Sequence, residues 1–365
     1  MAKKIIANGL TSSAYIDEKF WAKECKTIFS DNWVFVGYKH ELNNIGDTLP
    51  IFLANQPILL VHNTKGNIVA FHNVCSHRCV KLVDEAKNVK KIISCPYHAW
   101  AYDLDGKLIA SPHFGGTNNH KPKGFKIEKH GLKSVRIKVW HDWIFINLNN
   151  NAKEFENYAA PLIKQLKDIN LEKIYPVATL DFGEINTNWK FLIENFIEPY
   201  HVQFVHKKTT SQPLSDHYTI VDGMCYGSGV DMKEEDASSG NLAVTSKYLS
   251  LFPNFIIGTY FPGQLGVYLN SSINTSKTAQ KRVIYTTHGH DLTKVEIEKQ
   301  KDLWWKVHKE DHEICERLQV GRSSPIALKG GLLSPHWENS VSAFQEIVIK
   351  SIKKSKKKKK EKLYV

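Results

Sequence analysis

Cys75-Ser76-His77-Arg78 and, in a second short stretch, Cys95-Pro96-Tyr97-His98-Ala99-Trp100 decide how this chain is read. Each stretch offers one thiolate and one imidazole. Two loops of this kind suit a cluster of two irons and two sulfides, with both thiolates on one iron and both imidazoles on the other. Zinc also accepts two cysteines and two histidines. Its common spacing, however, pairs Cys with Cys and His with His across a few residues, and neither stretch does that.

Outward from these loops, Trp33 to Leu148 reads as short β-rich runs: Trp33–Val36, Pro57–Val61, Asn67–Phe71, Lys91–Ser94 and Trp143–Asn147. Turn signals at Asn43-Asn44-Ile45-Gly46 and Asp105-Gly106 separate them. The pattern predicts a small antiparallel sandwich with the two Cys–His loops at its tip. Before it, residues 11–30 carry apolar positions at helical spacing. After it, Phe155 to Leu171 reads as a helix, followed by strands near Tyr175–Ile185, Tyr218–Met224, Asn254–Tyr260 and Arg282–His288. A long helix over Thr293–Val320 and an amphipathic one over Trp337–Ile352 complete an α+β chain. The expected divisions are a helical segment 1–32 packing on the second domain, a β domain 33–150, a second domain 151–352 and a lysine-rich tail 353–365.

Composition narrows the classes. At 365 residues with 42% hydrophobic content, the chain can bury two ordinary cores. No run approaches the roughly 18 apolar residues of a membrane span, and the basic N-terminus has too short an apolar run for a signal peptide. Cys25, Cys79, Cys225 and Cys315 show no paired spacing, as expected of reduced thiols in a cytoplasmic protein. The net charge of +12 is concentrated: Lys353 to Lys362 holds eight lysines against one glutamate, or +7. Such a run reads as a solvated, unstructured tail. It lacks the interleaved aromatics that stack on bases, so no specific nucleic acid is expected.

A second constellation lies at Asn188-Trp-Lys-Phe-Leu-Ile-Glu194-Asn195-Phe-Ile-Glu198-Pro199-Tyr200-His201-Val-Gln-Phe-Val-His206. Asn188-Trp189-Lys190 begins a helix whose apolar face is Trp189, Leu192, Ile193 and Phe196. Glu198 and His201 share a face at three-residue spacing. His201 and His206 stand about 140° apart on an ideal helix, so both reach one metal only where the helix ends or bulges. Pro199, Val202 and Val205 favour such a turn. Two histidines and one carboxylate make the facial triad of non-haem Fe(II) oxygenases.

Cys75-Ser-His77-Arg78, Cys95-Pro-Tyr-His98-Ala-Trp100, the Glu198–His206 run and Lys309-Glu310-Asp311-His-Glu313-Ile-Cys315-Glu316-Arg-Leu-Gln319 together resemble the oxygenase α-subunits of Rieske non-haem iron oxygenases over nearly the whole chain. The resemblance implies a Rieske 2Fe–2S domain joined to a helix-grip catalytic domain. It places the cluster on Cys75, His77, Cys95 and His98, and the mononuclear iron on His201, His206 and Asp311. Asp302, Glu310, Glu313 and Glu316 are the competing carboxylates. It also implies a homotrimer in which Glu198 bridges His201 and a neighbour's His98, fixing tautomers on both sides. Electrons would come from NAD(P)H through a separate reductase. Glutamate in a Glu-x-Tyr-His context resembles the enzymes that oxidise choline, glycine betaine and carnitine. Hydroxylation beside nitrogen, with N-demethylation, is the chemistry this implies.

A quaternary ammonium needs aromatic faces, for which Phe204, Tyr226, Phe252, Phe255, Tyr260, Phe261 and Tyr268 are the candidates. Hydroxylation of an aromatic acid, using the same residue types plus Arg or Lys, is the alternative within the enzyme class. An electron-transfer protein without the mononuclear iron is the alternative outside it.

Overall fold

The computed structural model describes residues 6–210, 212–231, 245–260 and 263–361. The chain divides into two compact units, Phe29–Ala152 and a unit built from the residues up to Ile28 and from Lys153 onward.

In the first unit, seven antiparallel strands lie in the order Val34–Tyr38, Trp143–Asn147, Ser134–Trp140, Ile68–His72, Gln56–His62, Asp47–Leu53, Lys87–Asn88. Ile58 to Val61 are buried without alternation, as strands covered on both faces are. A three-stranded sheet, Ile93–Ser94, Ala101–Tyr102 and Leu108–Ala110, carries the second Cys–His loop between its first two strands. Beneath both loops Leu59, Phe71, Leu82, Ile93, Trp100 and Tyr102 form one apolar cluster that includes Cys75 and Cys95. The Asp105-Gly106 turn is fixed by sterics. Gly106 takes φ +79°, and a Cβ there would strike the Phe71 ring.

In the second unit, seven antiparallel strands run in the order Ile174–Ile185, Lys277–Thr287, Gln264–Asn274, Phe255–Tyr260, Thr245–Leu251, Cys225–Asp231, His217–Asp222. Its helices are α1 (Ser13–Ile16), α2 (Glu18–Asp31, of which the part up to Ile28 belongs here), α3 (Phe155–Gln165), α4 (Trp189–Ile197), α5 (Val202–Val205), α6 (Lys294–Gly321) and α7 (Asn339–Glu361). α4 touches the strands Thr245–Leu251 and Gln264–Asn274, and α6 touches α4 and the strand Ile174–Ile185. The sheet and two helices thus enclose the space in which the second constellation sits. Among the described residues no helix is long and apolar enough to cross a membrane.

α4 begins where expected, because the Asn188 side chain caps it by accepting from the Lys190 amide. Burial goes further than an apolar stripe: Lys190 and Glu194 are enclosed as well. Lys190 pairs with Glu24 at 2.7 Å, and Glu194 accepts from the Tyr15 hydroxyl at 2.7 Å and from Gln345 at 3.0 Å. Burial raises Glu194, opposed by Tyr15 and Gln345, to about 7. α6 opens on a capping box between Thr293 and Glu296.

Several expectations change. Residues 11–30 form two helices rather than one, because Asp17 breaks the chain and its carboxylate caps α2 at the Lys19 and Phe20 amides. α3 stops at Gln165, short of Leu171. Strands Cys225–Asp231, Thr245–Leu251 and Gln264–Asn274 are absent from the sequence reading. Their glycines and serines lower β-propensity, and pairing on both sides overrides it. The lysine-rich tail is helical through Glu361 rather than unstructured from residue 353. Lysine is a good helix former, and extending a helix already packed costs little. Residues 362–365 lie outside the described residues.

Candidate metal centres

The two Cys–His loops have matching backbones. The Cys75 amide donates to the Val80 carbonyl at 2.8 Å and the Cys79 amide to Cys75 at 3.0 Å. Likewise the Cys95 amide donates to Trp100 at 2.8 Å and the Ala99 amide to Cys95 at 3.1 Å. Cys79 and Ala99, at equivalent places, both take positive φ, 60° and 53°. Each loop is thus a knuckle that turns its cysteine inward and its histidine outward. Cys75 and Cys95 are buried, His77 is half-buried and His98 exposed.

The imidazoles of His77 and His98 lie 4.8 Å apart between centroids, and the Trp100 ring stacks on His77. The Tyr102 hydroxyl lies 3.2 Å from Cys75 Sγ and accepts from the Ser76 amide. Burial pushes the Cys75 thiol up, and Tyr102 only partly opposes it. A thiolate is therefore unfavourable there without a cation to hold it. Among the described residues, the four loop ligands do not join the groups of three or more donors that converge on one point. One zinc would draw all four together; a two-iron cluster keeps thiolates and imidazoles on separate irons. The donor set and its spread fit the cluster.

His201, His206 and Asp311 do converge, with ligand atoms all within 4.8 Å of one another. The local backbone explains how histidines five apart meet. α4 ends at Glu198, which is extended, and the chain re-enters a single helical turn capped by His201 at its start and His206 at its end. Glu198 and His201 therefore meet across a turn, not along a helix face as the spacing suggested. Asp311 comes from the middle of α6, with Oδ1 3.1 Å from His206 Nε2 and 3.7 Å from His201 Nε2. Two imidazole nitrogens and a carboxylate oxygen on one side fit a single Fe(II) with positions left open. Of the competing carboxylates, none of Asp302, Glu310, Glu313 and Glu316 belongs to that group.

Each histidine is held from behind by a carboxylate. His201 Nδ1 lies 2.6 Å from Glu198 Oε1, while Glu198 Oε2 accepts from the amides of Tyr200 and His201. His206 Nδ1 lies 2.8 Å from Glu310 Oε2, which also accepts from the Thr209 hydroxyl at 2.7 Å. Asn195 donates to Asp311 Oδ1 at 2.9 Å. Burial works against charge on both imidazoles, but the carboxylates outweigh it. His201 is raised by Glu198 and Asp311, and His206, beside Asp311 and Glu310, rises to about 9. Burial would raise Asp311, but the two histidines hold it well below the usual carboxylate range. A metal ion would replace the protons that these imidazoles take up without it. Glu310 was legible only as a competing carboxylate; its partner, His206, is distant in sequence.

The triad opens onto a pocket walled by Phe196, Tyr248, Tyr260, Tyr268, Leu303 and Trp304. Of the aromatic candidates, Tyr260 and Tyr268 line it. Phe204 points outward and is 56% exposed; Tyr226 and Phe252 pack on Phe344; Phe255 is buried away from the lining. Phe261 lies outside the described residues. Phe196, Tyr248 and Trp304 went unrecognised as walls. Trp304 had a signal, since it precedes Asp311 by two helical turns and so shares its face.

The Rieske 2Fe-2S domain family matches residues 32–121, and the family of the ring hydroxylating alpha subunit (catalytic domain) matches residues 163–354. The chain is 33% identical over 199 residues to the glycine betaine monooxygenase oxygenase subunit of Chromohalobacter salexigens, covering 54% of this chain and 43% of that protein. The match thus spans less than half the length of that relative. With the carnitine monooxygenase oxygenase subunit of Escherichia coli K12 it is 26% identical over 330 residues, covering 85% and 83%. The crystal structure of the quaternary ammonium Rieske monooxygenase CntA with L-carnitine superposes with a TM-score of 0.80 at 21% identity, covering 96% of this chain and 97% of that one. At that identity the likeness establishes the fold.

Proposed function

Because this chain belongs to the ring hydroxylating alpha-subunit family, with a Rieske domain ahead of the catalytic domain, we propose that it is the oxygenase component of a monooxygenase acting on a small quaternary ammonium compound. The observation that carries the reading is the convergence of His201, His206 and Asp311 at the mouth of a pocket walled by five aromatic rings. When bound, the cluster supplies electrons singly and the mononuclear iron activates dioxygen. The protein's part is positional. Glu198 and Glu310 fix the tautomers of His201 and His206, presenting Nε2 of each toward Asp311. Phe196, Tyr248, Tyr260, Tyr268 and Trp304 offer the faces that attract a cation with no hydrogen to donate. Hydroxylation of an N-methyl group gives a carbinolamine, which breaks its C–N bond to release formaldehyde and a demethylated amine.

The finer organisation follows the same reading. The outward imidazole of His98 is the exit for electrons, and Glu198 the bridge to a neighbour in a homotrimer. CntA, which shares the fold, is described as transferring electrons between subunits. A separate reductase supplies NAD(P)H electrons, in the cytoplasm. Reductase-coupled turnover with betaines, choline and aromatic acids tests the proposal. Formaldehyde from an N-methylated substrate is expected; hydroxylation of an aromatic acid with no formaldehyde would overturn it. Metal analysis should give about three irons per chain; about two would mean a cluster alone. Glu198→Gln should keep both metals and peroxide-driven turnover yet lose about 100-fold or more in coupled turnover. Full coupled turnover would remove the bridge.

A further inference from the structure

Two buried groups on the pocket wall are complementary, and both lack a partner. His217 opens the strand His217–Asp222 and pairs with Val230; Thr219 pairs with Ser228, and Ser228 with Tyr248. Alternation therefore turns His217, Ser228 and Tyr248 to one face. All three line the cavity that holds His201, His206 and Asp311. A tight turn over Leu214–Asp216 brings the Pro213 carbonyl to 2.9 Å from His217 Nδ1. A carbonyl only accepts, so Nδ1 carries the hydrogen and, in the neutral ring, Nε2 presents its lone pair. That Nε2 is enclosed and has no hydrogen-bond partner. Gln212, on the same lining, has the opposite need. Its Oε1 accepts from the Tyr248 hydroxyl at 3.0 Å, which leaves Nε2 as a buried donor with no acceptor.

The other bases on the lining are engaged. Glu198 holds His201 Nδ1, Asp311 stands between His201 and His206, and His308 Nε2 accepts from Arg282 at 3.3 Å. Among the described lining residues, His217 therefore keeps an imidazole lone pair with nothing on it. Burial lowers its proton affinity below the ordinary value, with His201 adding to the effect and the Pro213 carbonyl, Asp216 and Glu198 opposing it. The ring is neutral at pH 7 and open to a donor. One oxygen that bears a hydrogen satisfies both groups, donating to His217 and accepting from Gln212. Either group left alone is a cost to the fold.

We propose that this oxygen is the hydroxyl created on the substrate's N-methyl group, and that His217 is the catalytic base that breaks the carbinolamine down. The inference rests on the quaternary-ammonium reading and deepens it to the second half of the reaction. The hydroxymethyl group sits on a nitrogen with four bonds and a full positive charge. Such a nitrogen needs no acid to leave; only the O–H proton has to be removed. His217 Nε2 takes that proton, the O–H electron pair becomes the second C–O bond, and the C–N pair goes to nitrogen. Formaldehyde and a tertiary amine result, with no electron supplied or withdrawn. Gln212 Nε2 donates to the oxygen while negative charge gathers on it. The imidazolium then gives its proton to the lone pair that the amine has gained, and the product leaves as an ammonium ion. His217 ends the cycle neutral, as it began.

Binding tests the seat without turnover. In (hydroxymethyl)trimethylphosphonium, phosphorus in place of nitrogen keeps the hydroxymethyl group attached; ethyltrimethylphosphonium has the same size and charge without the hydroxyl. Calorimetric titration of the anaerobic holoenzyme should show the hydroxyl compound bound about 10-fold more tightly, and His217→Phe should remove that preference. Equal binding of the two by the unaltered protein overturns the inference. The base is tested by single turnover of the reduced holoenzyme with glycine betaine, choline and carnitine, stopped in acid, which preserves the hydroxymethyl cation by holding its proton in place. In the unaltered protein, formaldehyde should equal the substrate consumed at every time. In His217→Gln, which keeps an acceptor but is no base, formaldehyde release should slow about 100-fold while substrate is consumed within about twofold of the usual rate. Formaldehyde that keeps pace in His217→Gln overturns the base and leaves the ammonium reading standing. No consumption of any of the three by the unaltered protein removes the ammonium reading and this inference with it.

Discussion

The two metal-binding regions are built on opposite plans. The residues proposed to hold the cluster come from two matched knuckles, each supplying a cysteine and a histidine within four residues, and local hydrogen bonds shape each loop. The three residues proposed to hold the iron come from one helical turn and the middle of α6, held by Glu198, Glu310, Thr209 and Asn195. The first site needs a short stretch of backbone to be right. The second needs the whole unit, down to the buried ion pair between Lys190 and Glu24 under α4. Local construction makes a site robust, and distributed construction makes it adjustable.

Removing one ligand from each site is the hardest test of that contrast and should give the largest effects. Cys95→Ala is expected to remove the cluster's visible absorption and EPR signal and end reductase-coupled turnover. Asp311→Ala is expected to keep the cluster spectrum, lower iron to about two per chain and likewise end turnover. Loss of both metals in Asp311→Ala would show that the sites are not independent. Next comes the support around the distributed site. Glu310→Gln removes the charge behind His206 and should weaken iron binding about 10- to 100-fold, read by chelator competition, with the cluster spectrum unchanged.

The smallest effect lies in the scaffold beneath. Glu194 titrates at about 7 in the fold, above its ordinary value of 4.5. Between those two values the unfolded chain has released a proton that the native protein keeps, so stability falls as pH rises. Above about 7 that contribution levels off. Denaturant unfolding should show a slope of up to about 1.4 kcal/mol per pH unit across the window. Glu194→Gln should flatten it, and an unchanged slope would detach Glu194 from the scaffold's stability.

The same contrast governed what could be read from sequence. That the two Cys–His loops come together, with Cys75 and Cys95 in one core and His77 beside His98, was legible because each pair is written in neighbouring letters. His201 and His206 were legible as a pair, but the reason they meet, an extended Glu198 followed by a single turn, depends on how α4 stops. Glu310 holding His206, and Asn195 holding Asp311, are contacts between α6 and the α4–α5 segment, which no local spacing encodes. The wall residues failed for a related cause. Phe252 and Phe255 have the right chemistry but lie buried away from the pocket, while Tyr248 sits on a strand whose serines and lysine hid it.

Cys75 and Cys95 belong to the apolar core of their unit, not to its rim. Iron and sulfide bound there would therefore add to the packing of the core rather than to its surface. Burial pushes the Cys75 thiol up, and a bound cation would hold it as a thiolate inside that core. Loading the cluster is then expected to raise the stability of Phe29–Ala152, read as slower proteolysis of that unit in the loaded chain than in the unloaded one.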